Sequence, residues 1–455
     1  MTLKSRPQRS AIRSRKFAWK PGAAWTDSAI SAATRRSALR RMRSLSDMWA
    51  PGPVREQRRA QCATCRLRRG ERGGLASAAG LRSPRREAWS GEAMKAVAIG
   101  SAIIDVITVV DPERIERMTL VNDNKSYLWL ETGRKIPAAS IGTHVGGGAC
   151  NAAVCFARLG WDAAALTRVG QDLNAQAVRE HLAREGVATD RIRETGDAAT
   201  GVSSMISSHD RNATIFVHRG ANETIEAEDA EPGFAGVDVV HIGPLSNRSA
   251  DAFPALARRA KADGAFVSAN PGIRQLTARG RLVLEALGAI DLLAINRVEA
   301  EALSPVFAAD APPPGPVPAD APELLRDGLR FGGFEMCLRD FFSALHRAGP
   351  RFVLVTDGEK GAYLSGPEGV AWRAPAPAKV QGTAGAGDAF CATLVASLAE
   401  GAAAGEALAR AAANAASVIG EVDTTSGLLD REALLARAAA VAEAAPLRSF
   451  ERRGG

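Results

Sequence analysis

"GTAGAGDAFCATLVASL", residues 382–398, sets three glycines and one carboxylate, Asp388, directly ahead of an apolar run. Phe390, Leu394 and Leu398 recur at i, i+4 and i+8, so the spacing predicts an apolar helical stripe that begins after Gly387. The small residues before it permit close backbone approach. The glycines are therefore expected to form a turn that feeds a helix N-terminus, where amides without intrahelical partners and the helix dipole favour an anion such as phosphate. If an alcohol attacked a phosphoryl group held there, Asp388 could accept its proton. The competing role for Asp388 is a helix cap, which Asp fills well. The helix argument alone leaves both readings open.

Working outward from this stretch, short apolar runs alternate with helix-like segments from residue 94 onward. Candidate strands are 95–101, 164–170, 237–243, 264–272, 290–296 and 351–358, several of them nearly continuous Val, Ile, Leu and Ala, as strands buried on both faces should be. Helical spacing covers Ala149 to Leu159, Asp172 to Glu185, Ser249 to Lys261 and Leu324 to Ala348. The alternation predicts an α/β domain with a mostly parallel central sheet and helices on both faces, whose ligands gather at the carboxyl ends of the strands. Residues 200–220 break the pattern. They read as two β-rich arms around a His-Asp-Arg-Asn turn, a hairpin. Segments of about 105–145 and 198–222 are expected to form a small β-sheet lid over the main sheet. The Pro-rich "APPPGPVPADAP" at 311–322, within a segment of about 305–322, reads as an exposed insertion.

The net charge of +8 invites a nucleic-acid reading, but it is unevenly placed. Residues 1–93 hold 22 basic and 6 acidic side chains, while the rest holds 36 and 44, so the surplus belongs to the first fifth of the chain. That segment has high charge and no sustained apolar period, the composition of a disordered extension. A basic partner arm, a targeting extension and a start codon placed too far upstream compete for it. The last is favoured because "MKAVAIGSAIIDVITVV" at Met94 runs directly into a first strand. Nucleic acid is thus not expected as a partner. Cys62 and Cys65 form a CxxC with no second half to complete a zinc site. The four remaining cysteines, Cys150, Cys155, Cys337 and Cys391, are scattered among apolar residues and, with no hydrophobic signal segment, point to a reducing cytoplasm. No apolar run reaches the length of a membrane span.

Other phosphate and nucleotide motifs are missing. There is no GxxxxGK[ST] loop, and Asn151 stands where a dinucleotide fingerprint needs its third glycine in "GGGAC". "GTAGAGDAF" resembles instead the second signature of the ribokinase family of carbohydrate kinases, the PfkB type. "GGGACNAAVCFARLG" (146–160) resembles the first signature, and "NRVE" (296–299) and "VTDGEKGA" (355–362) resemble the landmarks between them. The resemblance spans roughly residues 95–440 and implies a ribokinase-like fold and an ATP- and Mg2+-dependent sugar kinase. It implies Asp388 as the base, with Gly385, Ala386 and Gly387 offering amides to the transferring phosphate. It implies Asp105, Gly147 and Asn151 as binders of substrate hydroxyls. Asn296, Thr356, Gly358 and Asn414 would lie on the nucleotide side, and Glu299 would act on magnesium through water. Its competing role is a helix-start carboxylate. Of the six histidines only His144, beside the first signature, is a candidate for the substrate side, and a structural role is the favoured reading for it.

Two departures stand out. Gly382 replaces an Asp that in the family helps hold a monovalent cation, so potassium activation does not carry over. Asn174 in "VGQDLNAQ" stands where a Gly is common. A nucleoside kinase and a non-catalytic sugar- or nucleotide-binding regulator are the alternatives. A homodimer through an exposed lid edge is a further expectation.

Overall fold

The computed structural model describes residues 93–451, apart from 112–115, 121–124, 130–132, 134, 209–213 and 311–317. The basic extension with Cys62 and Cys65, the tip of the lid hairpin and most of the Pro-rich stretch lie outside the described residues. In chain order the strands are β1 (Lys95–Ile99), β2 (Ile103–Val110), β3 (Glu116–Leu120), β4 (Lys125–Trp129), β5 (Ser140–Gly146), β6 (Asp162–Gly170), β7 (Ile192–Thr195), β8 (Gly201–Ser208) and β9 (Thr214–His218). They continue with β10 (Val239–Ile242), β11 (Phe266–Ala269), β12 (Leu292–Asn296), β13 (Leu329–Phe331), β14 (Phe334–Met336), β15 (Phe352–Thr356), β16 (Ala362–Gly366), β17 (Gly369–Arg373) and β18 (Arg448–Phe450). The α-helices are α1 (Gly148–Arg158), α2 (Leu173–Arg184), α3 (Arg248–Ala262), α4 (Ile273–Ala286), α5 (Arg297–Leu303), α6 (Glu323–Asp327), α7 (Leu338–Ala348), α8 (Ala386–Ala399), α9 (Ala404–Val418) and α10 (Arg431–Ala444).

The main sheet runs β7-β6-β1-β10-β11-β12-β15-β16-β17-β18. It is parallel from β7 to β15 and antiparallel from β15 to β18. Alternation along β1 explains how one sheet serves two cores: Ala96 and Ala98 pack with the helices α1, α8 and α9, whereas Val97 and Ile99 face α3, α4 and α7 on the other side. The chain leaves β1, crosses to β6 through the lid strands and α1, and later returns to β10 on the opposite flank. That reversal opens a crevice at the carboxyl end of β1, the position where open α/β sheets bind ligands.

The lid is a four-stranded sheet ordered β5-β2-β8-β9, with β2 and β8 parallel and the outer pairs antiparallel. The hairpin expected at 200–220 is present as β8 and β9. Strands β3 and β4 form a separate pair.

Two expectations need correction. The span Leu324 to Ala348 is not one helix: α6 ends at Gly328, where φ is 72°, and a β13-β14 hairpin turns through Gly332 and Gly333 before α7 begins. Nor does α8 present a single stripe. Leu394 is buried while Phe390 and Leu398 are half-buried, and Ala389 and the unbroken run Cys391 to Ser397 are buried on every side, because α8 is sandwiched between α1 and α9.

Candidate active site

The turn before α8 ends at Gly385, which caps the helix with φ 78° and contributes no side-chain hydrogen bond. A β-carbon there would lie 2.7 Å from Thr424 Cβ, so both the backbone angle and the available space demand glycine. Gly387 is exposed, and a β-carbon on it would meet nothing within 4 Å. The first turn of α8 is therefore open at Gly387, and its first amides lack intrahelical acceptors. Asp388 lies in the first turn of this helix, not at its cap. The capping role weighed above is thus not the one it fills.

The side chain of Asp388 is held from another helix. Asn151 Nδ2 donates to Asp388 Oδ2 at 2.8 Å, and Asn151 Oδ1 in turn accepts from Thr424 Oγ1 at 2.9 Å. Oδ1 of Asp388 makes no hydrogen bond to a described residue and faces the start of α1, where a β-carbon on Gly148 would stand 3.9 Å away. Burial raises the pKa of Asp388, and the Asn151 amide partly opposes that rise. Asn151, expected at the substrate, is 3% exposed; one amide hydrogen is on Asp388 and one lone pair of its oxygen on Thr424, which leaves one of each for a ligand.

The start of α1 is built by Gly147, with φ 99° and a would-be β-carbon only 2.5 Å from the Ser101 carbonyl oxygen. Ser101 Oγ accepts from the Gly148 amide at 3.1 Å. The helix is thereby pinned against the carboxyl end of β1. Asp105 lies in β2, opposite His144 of β5 and Ser203 of β8. Ser203 donates its hydroxyl proton to Asp105. Burial raises the Asp105 pKa, Ser203 and His144 oppose this, and the carboxylates of Asp388 and Asp423 add to it. Asp105 and Asp388 are thus close enough to feel each other's charge across one crevice.

Sequence reasoning did not single out Asp423 and Thr424. His144 Nδ1 lies 3.7 Å from Asp423 Oδ2, and Asp423 Oδ1 accepts from the amides of Thr425 and Ser426 at 2.8 Å each. Burial alone would raise the pKa of Asp423, but the hydrogen bonds from Ser426 and Thr425, with His144 beside it, hold it below the usual carboxylate range. An Asp followed three residues later by Ser is an Asx-turn signature, and it is the one local signal that marks this loop.

On the far side of the crevice, Asn296 and Thr356 are register partners at the carboxyl ends of β12 and β15, followed by exposed Gly358. Glu299 forms a capping box: its Oε2 accepts from the Asn296 amide at 2.8 Å, and Asn296 Oδ1 accepts from the Glu299 amide at 3.0 Å. Its other oxygen accepts from the Ile273 amide at 3.1 Å. Burial nevertheless raises the Glu299 pKa. The helix-start role is therefore present, and each oxygen keeps a further lone pair, so the carboxylate remains a fit for a magnesium ion or its bound water. Asn414 is a further correction. It is 0% exposed, donates to Thr393 Oγ1 at 2.7 Å and accepts from the Leu429 amide at 2.9 Å, so it is a strut between helices and borders no cleft. Gly382 has no room for a larger side chain, since a β-carbon would lie 2.9 Å from the Glu421 carbonyl oxygen.

A doubly wound sheet that gathers two helix N-termini, two carboxylates and a lid at one crevice defines an α/β protein built around a small ligand. The family model of the pfkB family of carbohydrate kinases matches residues 94–312 and 338–431, and the chain belongs to that family. It is 30% identical over 252 residues to an ATP-dependent ribose-1-phosphate kinase of Halopiger xanaduensis, covering 55% of this chain and 72% of the relative. It is 31% identical over 265 residues to a fructokinase of Klebsiella pneumoniae, covering 56% and 76%. The structure of Arabidopsis thaliana ribokinase complexed with ribose and ATP superposes with a TM-score of 0.56 at 24% identity, over 76% of this chain and 99% of that one. The protein is a carbohydrate kinase, a phosphotransferase. Among the described residues no helix is long and apolar enough to cross a membrane.

Proposed function

We propose that the chain moves the γ-phosphoryl group of ATP to a hydroxyl of a sugar, with Asp388 as general base. The observation that carries this is the Oδ1 of Asp388, without a hydrogen bond to a described residue, in the first turn of α8, which no side chain caps, and facing the start of α1. Asp105 and Gly147 bind acceptor hydroxyls, and the acceptor oxygen loses its proton to Asp388 as it bonds to phosphorus. The bond from phosphorus to the bridging oxygen breaks, ADP leaves, and the amides at Gly385, Ala386 and Gly387 offset the charge that builds up on the transferring group. Asn296, Thr356 and Gly358 receive the nucleotide. Mg2+ would be carried on its phosphates with Glu299 in the water-mediated shell, where it supplies neutralisation of phosphate charge. The lid closes over the acceptor and excludes water.

A coupled ADP-release assay over pentoses, hexoses, sugar phosphates and nucleosides tests the reading. The expected outcome is turnover of a sugar; preference for a nucleoside would make the chain a nucleoside kinase, and silence on every compound would favour a binding regulator. Asp388→Asn is expected to bind ATP and to turn over about 10²- to 10⁴-fold more slowly, equivalent to roughly 3–5 kcal/mol of barrier. Near-normal turnover by that variant would remove Asp388 from the mechanism. We propose further that two copies pair through the lid edge β9, where Ile215, Phe216 and Val217 are 49%, 61% and 45% exposed.

A further inference from the structure

Thr424, in the loop between α9 and α10, meets three parts of the crevice with one side chain. Its Oγ1 donates its proton to Asn151 Oδ1 at 2.9 Å, and Asn151 Nδ2 carries that link to Asp388 Oδ2 at 2.8 Å. Its carbon side packs on the turn into α8: the β-carbon position of Gly385 lies 2.7 Å from Thr424 Cβ and 3.0 Å from Thr424 Cγ2. On the lid side, the β-carbon position of Gly146, the last residue of β5, lies 3.0 Å from Thr424 Oγ1 and closer still to Asp105 Oδ2. The side chain is branched at its β-carbon and 6% exposed, so these neighbours leave it little rotamer freedom.

The loop that carries Thr424 is fixed from several directions. Asp423 Oδ1 accepts from the Thr425 and Ser426 amides, and Asn414 Oδ1 accepts from the Leu429 amide. Arg158 Nη1 donates to the carbonyls of Thr425 at 2.9 Å and Leu428 at 2.7 Å. Arg158 is the last residue of α1, the helix on which Asn151 stands two turns earlier, and Glu185 holds its guanidinium through both carboxylate oxygens at 2.9 Å. One helix thus braces both ends of the link from Thr424 to Asn151. An ionised Asp388 can only accept, so the Asn151 nitrogen faces it and the Asn151 oxygen needs a donor, which Thr424 supplies at a buried position. The titratable groups that feel Asp388 are Asp105 from β2 and Cys391 one turn along α8. Thr424 is uncharged, so a substitution there alters how Asp388 is held and leaves that charge pattern as it is.

We propose that Thr424 is a positioning residue for the transfer: its hydroxyl sets the Asn151 amide that holds Asp388, and its carbon side seats the Gly385 turn, so that one side chain aligns the base with the anion-binding turn. This rests on the kinase reading above and adds a residue to its machinery. Groups that do chemistry must be held within about 0.5 Å of their productive geometry by the residues packed behind them, and Thr424 does this for two of them at once.

The test uses the full chain. Thr424→Val keeps the branched shape and removes the donor. It is expected to lower kcat/KM for the preferred acceptor by about 3- to 10-fold, the range for one net hydrogen bond, and to move the acid limb of the profile to higher pH, because Asn151 then supports the ionised base less well. The KM for ATP is expected to stay at its wild-type value. Thr424→Ser restores the donor and is expected to return the acid limb to its wild-type position. Thr424→Ala, which removes the donor without setting a methyl against Asn151, is expected to move the limb as Val does and serves if the Val variant does not fold. An unmoved limb in the variants that lack the donor, or an equal shift in Thr424→Ser, would overturn the proposal. Denaturant unfolding at pH 7 gives a readout that needs no turnover. Loss of the donor is expected to lower the midpoint by more in wild type than in the Asp388→Asn background; equal drops in the two would make Thr424 a packing residue only and overturn the proposal. If wild type turns over no acceptor, the kinase reading falls, and unequal drops would still show Thr424 acting on Asp388.

Discussion

Asp388 illustrates how a buried charge is held at a cost in stability. Its folded-state pKa is raised, so the folded chain binds that proton more tightly than the unfolded chain does. Stability is therefore lost as pH rises from the ordinary carboxylate pKa through the folded one, and near neutrality the ionised group opposes folding. Asp388→Asn is expected to unfold at a higher denaturant concentration than wild type at pH 7 while it loses turnover, and a lower midpoint would contradict this. Asn151 acts in the opposite direction, because its amide favours the charged form. Removal of that donor in Asn151→Ala is expected to shift the acid limb of the kcat/KM profile to higher pH; an unmoved limb would exclude Asn151 as the group that tunes the base. The composition around Asp388 made the glycine turn and helix start readable, but nothing local reveals a partner 237 positions away in sequence.

At the scale of elements, the turn into α8 and the edge of the lid decide most. Gly385→Ala would force a side chain into a left-handed backbone and against Thr424, a loss of at least about 1 kcal/mol, and the amides would be displaced from the phosphate. A fall in both thermal midpoint and kcat is the expected result, and unchanged kinetics would show that the turn geometry is not needed. On the lid, Phe216→Asp places a charge in the exposed strand β9 and is expected to convert a dimer to monomer in light scattering. A wild-type chain that is already monomeric would remove the lid seam. Strands buried on both faces were legible because their apolar runs are continuous, as in β12 and β15. The stretch from Leu324 to Ala348 was not, because apolar residues of two short elements and a hairpin fall by chance into helical spacing until Gly328, Gly332 and Gly333 interrupt it.

For the whole molecule, charge and fold separate along the chain. The family match starts at Met94, and the surplus of basic residues precedes it. A chain that starts at Met94 is expected to keep kcat/KM for the best acceptor within about twofold, measured by ADP release; a larger loss would give residues 1–93 a part in catalysis. The crevice itself belongs to no single segment, since Asp105, Asn151, Asp388 and Thr424 reach it from four distant stretches.

By itself, the order of residues determined the layered α/β plan, the lid and the glycine turn before Asp388, because each rests on local backbone preference and on periodic burial that a short window carries. Only the folded chain decided that Asn151 reaches Asp388 from another helix and that Asn414 is a buried strut. Those outcomes depend on which surfaces the strand order brings into contact, and hydrogen bonds across such contacts have no period in the sequence.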